Sequence, residues 1–113
     1  MHDISADSFD TWADEVLRAS DASDDAMVLA YFTAPWCGPC RMLKPRLEEL
    51  EKENEGLTVV RIDVSLNPEL ARQFNIMSVP QLWFYKAGFQ VAVETGIKQK
   101  PYLQNIIDKY LGE

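Results

Sequence analysis

Tyr31-Phe32-Thr33-Ala34-Pro35-Trp36-Cys37-Gly38-Pro39-Cys40-Arg41 is the stretch that decides how the chain is read. An apolar, strand-like run ends in two cysteines separated by Gly38-Pro39, and a helical pattern follows. These are the only cysteines in the chain. Residues at i and i+3 across a helix start lie on one face, about 5–6 Å apart. A disulfide tolerates that separation. The pair can therefore alternate between dithiol and disulfide with little backbone motion. Cys37 sits at the helix N-terminus, where unpaired N–H groups and the helix dipole favour an anion. Cys37 is thus the candidate nucleophile. Cys40, one turn further in and more buried, is the candidate resolving thiol. Gly38 leaves room for a substrate backbone, and Pro39 fixes φ where the helix start needs no N–H.

Two blander readings compete. A disulfide across so short a loop stabilises little, and a reducing compartment disfavours it as a staple. A zinc site needs about four ligands, and the sole histidine, His2, lies at the N-terminus. Redox chemistry is the stronger reading.

Outward from the motif, the pattern is that of an α/β domain. Phe9, Trp12, Ala13, Val16 and Leu17 form a helical stripe with Asp7 or Ser8 as N-cap. Met27 to Thr33 reads as a central strand buried on both faces. The helix after the cysteines points Met42, Leu43, Leu47 and Leu50 inward, carries Pro45 as a kink, and stops at Gly56. Thr58 to Val64 is a second strand, and Asn67-Pro68 caps a helix over Glu69 to Phe74. Gln81 to Lys86 and Phe89 to Thr95 flank Ala87-Gly88 as a hairpin. Tyr102, Leu103, Ile106, Ile107 and Tyr110 mark a last helix, with Pro101 near its start and Gly112 at its end. Strand-helix-strand units give parallel pairing, and the hairpin adds antiparallel strands. The expected fold is a mixed central sheet with helices on both faces, in one domain over residues 1–113. The cysteines fall at the carboxyl end of a central strand, where open α/β sheets place their sites.

Composition narrows the function. Apolar residues make up 47%, which suits a globular core, and the formal charge of -7 argues against nucleic acid as a partner. No apolar run approaches the roughly 20 residues of a membrane span. Met1-His2-Asp3-Ile4-Ser5 has neither a basic nor an apolar leader region, so the expected location is the cytoplasm.

Over nearly its whole length the sequence resembles the thioredoxin family. Trp36-Cys37-Gly38-Pro39-Cys40 matches the family signature, Pro45 its helix proline, Val79-Pro80 its cis-proline, and Gly88 and Gly96 its later glycines. The resemblance implies a protein-disulfide reductase with no bound cofactor. Its electrons would come from a separate NADPH-dependent thioredoxin reductase, and its substrates would be disulfide-containing proteins met by a monomer. It also implies that Val79, held by cis-Pro80, pairs with an extended substrate, with fit set around Trp36, Val79 and Gly96. A non-enzymatic binding module or co-chaperone and a disulfide isomerase or oxidase share the fold. Gly38-Pro39 resembles the reductant members.

Three positions depart from the family. Its buried aspartate, six residues before the first cysteine, is Tyr31 here. A phenol is a poor base at neutral pH, which leaves water or a carboxylate such as Asp63 to deprotonate Cys40. The lysine that faces that aspartate is Arg61, with the Tyr31 hydroxyl or Asp63 as its candidate partner. The family tryptophan four residues before the first cysteine is Thr33. Few residues precede the first helix, so the first edge strand is expected to be short or absent.

Overall fold

In the computed structural model, residues 1–112 are described. Five strands form one mixed sheet in the order β1-β3-β2-β4-β5. They are β1 (His2–Asp3), β2 (Met27–Thr33), β3 (Leu57–Asp63), β4 (Gln81–Lys86) and β5 (Phe89–Thr95). β1 and β2 run parallel to β3, β4 is antiparallel to β2, and β5 is antiparallel to β4. The first edge strand exists and is two residues long.

β2 is buried at every position. Because side chains alternate along a strand, it feeds two cores. Leu29 and Tyr31 pack with Leu43, Leu47 and Leu50 of α2 (Gly38–Glu53) and with Leu103 and Ile107 of α4 (Lys100–Ile107). Val28, Ala30 and Phe32 face the other way. There they meet Trp12 of α1 (Phe9–Trp12), Val16 of its π-helical continuation (Ala13–Arg18), and Leu70 of α3 (Pro68–Gln73). This second core is aromatic: Trp12 lies 4.6 Å from Phe74 and Phe32 4.7 Å from Trp83, centroid to centroid. Helices thus cover both faces.

Several local expectations change. Phe9 and Met42 are about half exposed rather than inward. Phe9 caps the aromatic core edge-on to Phe74. α2 closes on Asn54, whose N–H donates to the Leu50 carbonyl, before Gly56 is reached. Gly56 instead makes the turn into β3 at φ 95°, where a Cβ would collide with the Asp25 carbonyl. Ser8 is the N-cap of α1, its hydroxyl accepting from the Thr11 N–H at 3.1 Å. Asp7 caps a different helix. Its carboxylate accepts from the N–H groups of Glu69 (3.0 Å) and Leu70 (2.9 Å), while Asn67 makes no side-chain cap to α3. The β4–β5 turn places Ala87 and Gly88 at φ 55° and 82°, a two-residue left-handed turn. Buried Ser20 holds it by accepting from the Gly88 N–H at 3.0 Å and offering its carbonyl to the Ala87 N–H at 2.9 Å.

Candidate active site

β2 ends at Thr33, and Ala34 to Trp36 carry the chain onto α2. The Cys37 N–H donates to the Ala34 carbonyl (3.1 Å), which closes this turn. Cys37 is then the N-cap of α2, and Pro39 lies in its first turn. Cys37 and Cys40 form a disulfide with their Cα atoms 5.3 Å apart. The Cys37 Sγ also accepts the Cys40 N–H at 3.2 Å. In the reduced protein that N–H, with the positive end of the helix dipole, would favour a Cys37 thiolate.

Burial does not separate the cysteines, which are 5% and 4% exposed. What separates them is the surface each meets. Cys37 lines a groove of about 340 Å³ with Trp36, Gly38, Pro39, Met77 and Val79. Cys40 is absent from that groove and lines only a smaller cavity of about 170 Å³ behind the motif, which Cys37 also borders, with Tyr31, Thr33, Arg41, Lys44 and Arg61. The groove rim is apolar and open: Trp36 is 69% exposed and Met77 83%.

The far wall of the groove is the loop Ile76 to Val79. The Val79–Pro80 bond is cis. Among the described residues, nothing hydrogen-bonds the Val79 N–H or carbonyl. The Pro80 carbonyl accepts the Gly96 N–H at 3.0 Å. Gly96, at φ 81°, therefore supports the proline from behind and does not line the groove. Ile76, Met77 and Ser78 were not singled out from the sequence, although they immediately precede Val79-Pro80.

The residues behind the motif pair otherwise than expected. The Tyr31 hydroxyl donates to the Cys40 carbonyl at 3.0 Å. Burial pushes its ionisation above the ordinary tyrosine range. Arg61 is partnered by neither Tyr31 nor Asp63. Its Nε and Nη2 donate to the two Asp3 carboxylate oxygens at 2.6 and 3.1 Å. That pair holds the Asp3 carboxyl below its usual range. Asp63 turns away from the Cys40 cavity, accepting from the Ser65 N–H (2.8 Å) and hydroxyl (2.6 Å). Thr33 is nearly buried, and its carbonyl accepts the Val64 N–H at 2.9 Å.

A larger cleft of about 620 Å³ lies at the amino ends of β2 and β3, beside Asp25, Glu53, Ile107 and Asp108. It holds no thiol and is remote from the motif. Among the described residues, no three His, Cys, Asp or Glu side chains are grouped to hold a metal. No helix of the described residues is long and apolar enough to cross a membrane.

Comparison with known proteins agrees with this geometry. The family model described as Thioredoxin matches residues 5–109. A thioredoxin of Bacillus subtilis is 42% identical over 102 residues, covering 85% of this chain and 98% of the relative. A thioredoxin of Synechocystis is 41% identical over 102 residues, covering 83% and 95%. Among solved structures, a mutant thioredoxin from Halobacterium salinarum aligns with a TM-score of 0.71 at 37% identity, covering 83% of this chain and 82% of that one. The X-ray structure of Fasciola hepatica thioredoxin aligns with a TM-score of 0.81 over 97% of this chain and 99% of that one; at 24% identity it speaks to the fold alone.

Proposed function

The chain belongs to the thioredoxin family and is a thiol-disulfide oxidoreductase, and from that premise we propose that it works as a reductant of protein disulfides, with Cys37 attacking and Cys40 resolving. The observation that carries this assignment of roles is the division of surfaces: Cys37 lines the open groove and Cys40 does not. In the proposed cycle the Cys37 thiolate attacks one sulfur of a substrate disulfide. The substrate S–S bond breaks, and one substrate thiolate leaves with the electron pair. The Cys40 thiolate then attacks Cys37 Sγ. The mixed disulfide breaks, the second substrate thiolate leaves, and the Cys37–Cys40 disulfide remains. Two electrons have passed to the substrate.

Trp36, Gly38 and Pro39 would shape the near wall of the groove. Val79 would offer its backbone N–H and carbonyl to an extended substrate segment, a short case of strand addition. The unpartnered Val79 backbone supports this role, with Pro80 and Gly96 as its support. Thioredoxins need no bound cofactor, so the dithiol must be restored by a partner. We assign that step to a separate NADPH-dependent reductase. The chain is proposed to act as a single-domain monomer in the cytoplasm, without nucleic-acid or membrane partners. Its net charge of -7 supports the exclusion of nucleic acid.

Equilibration with glutathione tests the direction. A reductant stays largely dithiol only when glutathione is overwhelmingly reduced, and it reduces insulin disulfides in a Cys37-dependent way. A pair more oxidising than glutathione would overturn the assignment in favour of an oxidase or isomerase.

A further inference from the structure

The cavity behind the motif is bordered by both cysteines together with Tyr31, Thr33, Arg41, Lys44 and Arg61, and it is the only one of the two active-site hollows that Cys40 lines; among the described residues no carboxylate lines it. The phenol of Tyr31 is no base for the thiol, because it is neutral and its proton is already committed to the Cys40 carbonyl. Asp63, at the end of β3, is held by Ser65. What faces Cys40 instead is positive charge: Arg41 and Lys44 from α2, and Arg61 from β3. Lys44 also borders a neighbouring cleft with His2 and Glu48. The Arg61 guanidinium is fixed by two hydrogen bonds to Asp3 on β1. Asp3 lines the clefts on either side of Arg61 but not the Cys40 cavity, so it is the cationic end of the pair that borders the cavity.

We propose that Cys40 is made nucleophilic by the cations of this cavity rather than by a general base, with Arg61 the governing charge and Asp3 the positioning residue that holds it there. The inference rests on the reading of Cys40 as the resolving thiol. A positive charge beside a thiol favours the thiolate, so it lowers the pH at which the second half of the cycle begins. The Cys40 proton leaves to solvent through the cavity, and the thiolate then attacks Cys37 Sγ and expels the bound thiolate.

Reaction of the reduced protein with the aromatic disulfide dithiobis(nitrobenzoate), followed by stopped-flow absorbance, separates the two halves. Cys37 attack releases the first nitrothiobenzoate and Cys40 attack the second. Arg61→Gln is expected to raise the pH midpoint of the second release by about half a unit, a slowing of roughly threefold below the midpoint. Arg61→Lys keeps the charge and should stay with the wild type. Asp3→Asn loosens the hold that keeps Arg61 at the cavity and should raise the midpoint toward that of Arg61→Gln; a midpoint lowered or left at the wild-type value overturns the positioning role of Asp3. A wild-type midpoint in Arg61→Gln overturns the inference, and so does an Arg61→Lys midpoint shifted as far as that of Arg61→Gln. A wild type that never releases the second thiolate overturns the dithiol cycle itself.

Discussion

The Tyr31 hydroxyl donates a hydrogen bond to the Cys40 backbone carbonyl across 3.0 Å. A central strand residue is thereby tied to the first turn of the helix that carries the disulfide. Where a buried carboxylate would act on the thiol, this phenol acts on the backbone beside it.

Tyr31→Phe removes that bond while keeping the ring in the core. It is expected to lower the unfolding free energy by about 1 kcal/mol at neutral pH. Urea unfolding of the oxidised protein checks this. A variant as stable as the wild type would mean that the bond contributes nothing net.

Alkaline pH probes the same residue. Burial raises the ionisation of Tyr31 above its ordinary value of 10.0. A proton held more tightly in the folded state gives stability that is complete below about pH 10 and is lost as pH rises through the folded value. Tyr85 is raised for the same reason and adds to the effect. Thermal unfolding followed from pH 8 upward should fall steeply beyond about pH 10 in the wild type. It should fall less steeply in Tyr31→Phe, and identical slopes would refute the assignment.

Asp7 joins the segment before α1 to the start of α3 through two N–H groups. Asp7→Ala leaves both donors without that acceptor and should cost about 1 kcal/mol, within the range measured for lost helix caps. Asp7→Asn keeps an acceptor oxygen and should recover part of the loss. Chemical denaturation of the two variants side by side decides it.

Gly56 and Gly38 should respond oppositely to alanine. Gly56→Ala meets both a left-handed backbone and the Asp25 carbonyl, so a loss of about 2–4 kcal/mol is expected. At Gly38 a Cβ meets nothing within 4 Å, and stability should change by less than about 0.5 kcal/mol. Comparable losses at both positions would contradict the geometry.

The order of helices and strands from α1 to α4 was legible because each carries a clear apolar period or a Gly/Pro boundary. The cysteine pair was legible because its spacing states its geometry. β1 was harder: two residues, His2 and Asp3, are too few to show a period, and only the pairing with Val60 and Arg61 defines them as a strand. The partners of Asp7 and Arg61 were not legible at all. Their bonds span 62 and 58 positions, and no local pattern records which distant N–H or carboxylate will meet a side chain. Met42 and Phe9 misled because an apolar residue next to a helical stripe looks inward whether or not the neighbouring element reaches it.

The division of labour between the two cysteines is tested most directly by trapping. Reduced Cys40→Ser and Cys37→Ser proteins would each be mixed with a disulfide-bonded protein substrate, quenched in acid and weighed intact by mass spectrometry. Cys40→Ser should accumulate a covalent adduct on Cys37 that persists until reductant is added, and Cys37→Ser should form little. The reverse pattern, with the stable adduct on Cys40, would contradict the account.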